Sequence, residues 1–291
     1  LDVLAYNTHY LGFNANMLAN EMFLDSSQLR SSVVSHAKTL GYSTRSARAA
    51  KAVINVYLNT TITSATMPAG TVFTASVGST DYQFVTIQDV VATNIGSVIP
   101  FNNLNVYEGS FVSTRYTTDT QNVEQRFLIN DSRVDTTTLT VRVQNSSTDS
   151  ITTTYTLATD IAALTSTSNV YFLQEVEDGK FEIYFGDGIL GNAVEDENII
   201  ILNYVVTNKG AANGASTFAN SAAIDAVNSV NVSTVSSSAG GSEPETIQSI
   251  KYNAPLDYAS QGRCVTIEDY KTYVKQLFPN TQAVSVWGGE N

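Results

Sequence analysis

The sequence predicts a β-rich α+β fold: an N-terminal helical segment, a multi-strand β body with an inserted β module, and a C-terminal α/β piece. Three observations carry that expectation. Apolar residues near the N-terminus recur at helical steps. From Val53 the period changes to two and stays short for well over a hundred residues. A capped amphipathic stretch then returns near the C-terminal end.

Leu18, Met22, Leu29, Val33 and Ala37 recur at steps of four or seven, with Leu40 closing the pattern. Asp25 followed by Gln28 has the spacing of a capping box, so two consecutive helices are expected with a break near Asp25. Gly41 suits the left-handed position after a helix. Thr44 to Ala52 reads as a further short helix carrying Arg45, Arg48 and Lys51.

Val56, Leu58, Thr60 and Ile62 then alternate with Tyr57, Asn59 and Thr61, as a half-buried strand should. Further strands are expected over Thr71–Val77, Tyr82–Val91, Val106–Thr114, Gln125–Ile129, Thr138–Val143 and Ile151–Leu157. Turn clusters such as Asn130-Asp131-Ser132 and Asn145-Ser146-Ser147 separate them. Val170–Val176, Lys180–Phe185 and Ile199–Val206 complete the β body, with Asp178-Gly179 as a hairpin turn. Gly186-Asp187-Gly188 with Gly191 makes a compact turn, and Asn208–Gly214 reads as a loop.

The polar run Ser233–Ser242 reads as a linker. A helix follows it, with Ser242 as cap, Pro244 in the first turn and Pro255 as its end. Thr266 with Asp269 opens another, from Ile267 to about Phe278, with Tyr270, Tyr273, Val274 and Leu277 on one face. Pro279 stops it, and Gln282–Trp287 alternates as a strand. The divisions are therefore 1–52 for the N-terminal helices and 53–115 for the first part of the β domain. An inserted β module covers 116–168, the second part of the β domain 169–235, and the C-terminal region 236–291.

The chain has 291 residues, a net charge of -12, 43% hydrophobic residues and 14% charged ones. A lightly charged surface rich in Thr, Ser and Asn is easy to desolvate, and interface cores are likewise poor in charge. The acidic balance excludes the basic stripe that phosphate neutralisation needs, so no nucleic-acid partner is expected. No run approaches the length of a membrane span, and Leu1–Phe13 lacks the basic start of a signal peptide. Cys264 is the sole cysteine, in keeping with a reducing compartment. The sequence opens on Leu1 and closes on Gly-Gly-Glu-Asn, and reads as a piece of a longer protein.

Candidate chemistry is sparse. Asp187 invites pairing with Glu175, Glu177 or Glu182 as glycosidase carboxylates. The opposing reading is structural: the glycines take positive φ and Asp187 bonds its own backbone. Glu175, Glu177, Asp178, Asp187 and Glu195 to Glu197 form an acidic group without the spacing of a calcium loop. His9 and His36 lie apart, with no Cys or carboxylate at ligand spacing. No Gly-x-Ser-x-Gly elbow or phosphate-binding glycine loop occurs. The expectation is therefore no catalytic residue, no metal and no cofactor. The apolar positions of the N-terminal helices spread to Met17, Phe23 and Val34, wider than one stripe, which suits packing either with partner helices or on the chain's own β body.

Three stretches together resemble one family. They are Leu4-Ala5-Tyr6-Asn7 with Asn20-Glu21-Met22-Phe23-Leu24, Arg30 and Leu40-Gly41-Tyr42; then Phe185-Gly186-Asp187-Gly188 through Gly191, with Tyr204 and Gly210–Gly214; then Ala254-Pro255, Arg263-Cys264-Val265-Thr266 and Asp269-Tyr270. In order and spacing these resemble the baseplate J-like family of contractile tails, in its long form the baseplate wedge proteins of T-even-like phages. Cys264 stands where a small residue such as Ala is expected. The resemblance spans nearly the whole chain. It implies a non-enzymatic virion protein of the tail baseplate, assembled in the bacterial cytoplasm. It further implies two copies per wedge, partner wedge proteins joined through an N-terminal helical bundle, and a ring of six wedges around the hub that changes shape on contraction. Residues 1 to about 52 would enter the bundle, and residues beyond about 243 would contribute to copy-to-copy contacts. Two other readings remain open: a receptor-binding or adhesin β module, and a tail-associated glycan hydrolase using Asp187.

Overall fold

A computed structural model describes residues 2–122, 125–159, 161–220, 222–261, 263–278, 281 and 283–288. The chain divides into two compact units. One comprises Leu1–Arg45, Gln174–Gly179 and Glu245–Asn291; the other comprises Ser46–Leu173 and Lys180–Pro244.

The first unit is helical: α1 (Asp2–Asn20), α2 (Arg30–Thr39), α3 (Ile247–Ser260) and α4 (Ile267–Leu277). Its core forms where Val33, Val34 and Ala37 of α2 meet Ile250 and Ala254 of α3, with Tyr42 closing one side. The helical break near Asp25 is present, but Asp25 caps nothing. The Glu21 carboxylate instead accepts from the backbone N–H groups of Gln28 (2.8 Å) and Leu29 (3.3 Å), satisfying donors that α2 leaves open. Gly41 takes φ +78° after α2, as expected of a left-handed cap.

The C-terminal helices differ from expectation at α3. Thr246, not Ser242, is its cap, accepting from Ser249 N–H. Pro255 lies inside the helix, which runs on to a left-handed cap at Gln261. A proline removes a single ladder bond; here Ile250 and Ala254 stay buried before it and Ser260 after it. In α4 the capping box is complete: the Thr266 hydroxyl accepts from Asp269 N–H and the Asp269 carboxylate from Thr266 N–H. Ala283–Gly288 forms no strand. Pro279 and Gln282 lie outside the described residues.

The second unit is all-β. Its strands are β1 (Lys51–Asn59), β2 (Ser64–Met67), β3 (Val72–Val77), β4 (Thr80–Val85), β5 (Val90–Thr93), β6 (Val98–Glu108), β7 (Ser110–Thr117) and β8 (Phe127–Ile129). They continue with β9 (Val134–Gln144), β10 (Thr152–Leu157), β11 (Val170–Glu175), β12 (Phe181–Phe185), β13 (Ile199–Val206), β14 (Phe218–Ala219) and β15 (Val230–Ala239). A six-stranded sheet has the order β14-β3-β4-β6-β1-β15, a seven-stranded sheet β7-β13-β9-β10-β11-β12-β8, and β2 pairs with β5. The seven-stranded sheet is thus inserted between two halves of the six-stranded one. Its strands run from Ser110 to Val206 and include β7, β12 and β13 as well as those within 116–168.

Alternation builds both cores. β1 buries Ala52, Ile54, Val56 and Leu58 against Phe73, Phe84 and Phe101. β13 buries Ile200, Leu202 and Tyr204 against Val141, Val143 and Ile183. Four expectations fail here, one of them the single strand over Tyr82–Val91, which is divided between β4 and β5 in different sheets. Thr44–Ala52 is not helical: Ala49 and Ala50 are buried, Arg48 bridges to Ser242, and β1 begins at Lys51. Tertiary pairing overrides the helical preference of an alanine-rich stretch. Ser233–Ser242 is largely strand, since β15 pairs with β1 from Val230↔Leu58 to Ala239↔Lys51. Ser233, Ser236 and Ser237 are exposed on an edge strand, which is why composition suggested a linker, while Ser238 is buried. Val106–Thr114 is two strands that break at Gly109, whose φ is +124° and whose added Cβ would lie 2.2 Å from the Val206 carbonyl oxygen.

Candidate functional site

Among the described residues, the buried charge of the helical unit gathers at two carboxylates. Thr246 starts α3 just after Glu245, which places the Glu245 carboxylate beside the first turn. There it accepts from Ser249 Oγ (2.6 Å), Asn253 Nδ2 (3.0 Å), Tyr42 Oη (2.9 Å) and Arg45 Nη2 (3.0 Å). Burial pushes the Glu245 carboxyl upward, but hydrogen bonds from Ser249 and Asn253 and the Arg45 charge outweigh it and hold the group below the ordinary range. Burial, and then the Glu245 charge, raises the Tyr42 hydroxyl well above its usual value.

The second carboxylate, Glu175, lies on the Gln174–Gly179 turn. Arg30 at the start of α2 approaches it as a fork, with Nε at 2.5 Å from Oε1 and Nη2 at 3.0 Å from Oε2. The Thr44 hydroxyl also donates to it. Arg30 further donates through Nη1 to the Glu245 carbonyl, so one guanidinium joins both nodes. The Glu175 and Glu245 side chains are 1% and 0% exposed.

Among the described residues, the β unit has two buried carboxylates of its own. Glu108 accepts from Thr207 Oγ1, Asn208 N–H and Asn208 Nδ2, and Asp135 from Ala49 N–H, Thr137 N–H and Thr137 Oγ1. Each is occupied in fastening one chain segment to another.

The structure does not assemble the acidic residues singled out in the sequence. Glu175 is engaged by Arg30, Glu182 pairs with Arg126 at 2.8 Å, and Asp196 accepts from Thr120 N–H. Glu177 and Asp178 are exposed at the hairpin turn, where Asp178 and Gly179 take φ of +59° and +69°. Asp187 forms an Asx turn, its Oδ1 accepting from Ile189 and Leu190 N–H at 2.9 Å each. Those bonds hold its carboxyl below the usual range, opposite to the shift a general acid needs. A Cβ on Gly186 would meet the Leu190 carbonyl at 2.4 Å, so this turn requires its glycine for space. His9 is exposed on α1, and His36 Nε2 bonds the Glu21 carbonyl. Among the described residues, no group of three or more His, Cys, Asp and Glu side chains has a metal-binding arrangement.

The most unusual surface is α1. None of its residues is buried. Val3, Leu4, Tyr6, Tyr10, Leu11, Phe13, Met17 and Leu18 are each between 48% and 77% exposed. Val3, Tyr6, Tyr10, Phe13 and Met17 follow alternating steps of three and four, the spacing of a helix–helix seam. Leu4, Leu11 and Leu18 make a second row seven residues apart, one position away. Two adjacent rows present a face wide enough for more than one neighbouring helix. In α4, Ile267, Tyr270 and Leu277 are exposed, and Tyr273 and Val274 half-buried. A cleft of about 490 Å³ lies between α3 and the start of α4, with Leu256, Arg263, Thr266 and Asp269 among its walls.

The sequence offered Arg30 and Tyr42 only as parts of a family pattern, and Glu245 only as a favourable charge near a helix start. One signal for Glu175 was available: it lies beside Gln174 in the mostly apolar run Val170–Val176, where an inward-facing carboxylate requires a partner.

These carboxylates are engaged by structural donors, and α1 presents a bare apolar face. Residues 113–216 match the family model described as bacteriophage baseplate wedge protein gp6, third domain, a span that holds most of the seven-stranded sheet. The chain is also 29% identical to baseplate wedge protein gp6 of Enterobacteria phage T4, over 95% of this chain and 45% of that protein. The chain is thus similar to the gp6 baseplate wedge proteins of T4-like phages, through residues 113–216 by the family model and along most of its length by the T4 relative. It spans a little under half the length of the T4 relative.

Proposed function

We propose that this chain is a non-enzymatic building part of the baseplate wedge and that α1 is the element it contributes to a helical bundle. The observation that carries this reading is the complete exposure of α1. Most helical stability in proteins comes from packing of an apolar face and not from propensity. Gly12 disfavours helix by about 1 kcal/mol relative to alanine, and Asn7, Asn14 and Asn16 are also poor helix formers. A helix with weak propensity and no buried residue needs packing that the described residues do not supply, and its apolar rows are suited to helical neighbours. Helix α2 has a different role, because its apolar side chains are already buried against α3.

On this reading two copies meet in each wedge, other wedge proteins join through α1, and six wedges close a ring around the hub that rearranges when the tail contracts. The exposed Tyr252, Tyr258, Ile267, Tyr270 and Leu277 support copy-to-copy contacts by the region beyond residue 243. Removing residues 1–20 provides the test. The shortened protein is expected to keep its far-UV spectrum apart from one helix, and to fail to sediment with the other wedge proteins. Normal incorporation of the shortened chain would overturn the assignment.

A further inference from the structure

Strand β7 is an edge of the seven-stranded sheet and pairs on one side only, with β13. The Thr118 N–H donates to the Asn198 carbonyl (2.9 Å), which fixes the phase of that ladder. Alternate residues of an antiparallel strand turn their backbone groups to opposite sides. Thr114 and Tyr116 therefore bond β13, while Ser113, Arg115 and Thr117 turn their N–H and C=O groups to the open edge. Among the described residues nothing bonds those groups, and all three residues are exposed. At the opposite edge of the sheet is β8, and no backbone ladder joins the two edges. The Tyr116 hydroxyl alone donates across to the Leu128 carbonyl (2.5 Å), with its ring 5.5 Å from that of Phe127. The inner side of the β7 edge is thus apolar, with Val112 and Tyr116 packed on the core of the sheet.

The outer side is basic. Ile201 of β13 lies opposite Arg115 on one flank and Arg142 on the other, so two guanidinium-bearing side chains share one face. Arg30, Arg45, Arg126 and Arg133 all pair with carboxylates. Arg115 and Arg142 have no such partner among the described residues, in a chain whose net charge is -12. A charge on an open edge keeps most strands away. It admits a strand that brings the opposite charge to it, because opposite charges directly across a ladder attract and like charges repel.

We propose that the β7 edge takes an added strand from a partner polypeptide, an extended segment with apolar side chains turned inward and carboxylates turned outward to Arg115. A ladder to Ser113, Arg115 and Thr117 holds the segment, and the alternation of its side chains selects it. The apolar side chains lie on the side of Tyr116, and the carboxylates meet a face whose charge no described group balances. This inference does not depend on the wedge reading.

A fluorescent peptide alternating valine and glutamate, matched to the eight residues of β7, is the probe, with a lysine-for-glutamate peptide as control. Anisotropy should show the glutamate peptide binding the whole chain and the lysine peptide failing to bind. Arg115→Glu should weaken the glutamate peptide by about tenfold, through a lost cross-strand pair and a new like-charge one, and Arg115→Gln should weaken it less. Hydrogen exchange resolved by residue reads the geometry. In the free chain the amides of Thr114 and Tyr116 should be protected and those of Ser113, Arg115 and Thr117 should exchange quickly. The glutamate peptide should slow those three. Equal binding of both peptides, no binding of the glutamate peptide, binding indifferent to Arg115→Glu, or binding that leaves the three amides fast overturns the proposal. So does protection that appears as the chain alone is concentrated, which would give the edge to a second copy.

Discussion

At the scale of single residues, Glu245 is the group on which the helical unit most depends. It is fully buried, and Tyr42, Arg45, Ser249 and Asn253 all direct donors at it. Removing one partner of a buried ion pair costs about 3–5 kcal/mol, and the partial exposure of Arg45 puts this pair at the low end, about 3 kcal/mol. Glu245→Gln should therefore lower the stability of the helical unit by about that amount, measured by urea unfolding. The pH dependence follows from the shifts. The folded-state pKa of Glu245 is depressed, so its contribution is present above the unfolded value of about 4.3 and is lost as pH falls through the folded one. The Tyr42 pKa is raised, so its contribution is present below the unfolded value of about 10 and is lost as pH rises beyond it. Thermal melts across pH should show the Glu245→Gln variant losing the acid-side decline and Tyr42→Phe losing the alkaline one. In the β unit, Gly109→Ala combines a positive φ with a backbone clash, and should cost more than about 1 kcal/mol.

At the scale of elements, local chemistry determined what could be read. β1 was legible because four buried side chains alternate, the α4 start because Thr266 and Asp269 cap each other, and the Asp178-Gly179 hairpin because both positions need positive φ. Elements fixed by distant partners were not legible. β15 resembles a linker in composition, and becomes a strand because β1, some 180 residues earlier, supplies its ladder. The interior Pro255 is retained because burial on both sides of it holds α3 together. Glu175 and Glu245 find their partners 145 and 200 positions away, a separation at which sequence periodicity carries no information. The strand assignment of β15 has a direct check. Val232 packs on the core of the six-stranded sheet. Val232→Asp would bring a carboxylate against it, and should reduce stability by about 1–3 kcal/mol in urea unfolding. A linker would tolerate the change.

At the scale of the whole molecule, the β unit and α1 make opposite demands. The sheets bury their inner apolar faces and satisfy Glu108 and Asp135 internally. α1 buries nothing and carries eight large apolar side chains in water. A peptide of residues 1–20 should accordingly show little helix by circular dichroism, and gain it when mixed with its helical partners. The central claim is that α1 packs on helices of other chains. It is tested most directly by placing a photoreactive phenylalanine analogue at Phe13, on the seam, in baseplates assembled from otherwise unaltered proteins. Irradiation should join this chain to another polypeptide, either a second copy or a different wedge protein. Cross-links confined to the chain's own residues would contradict the account.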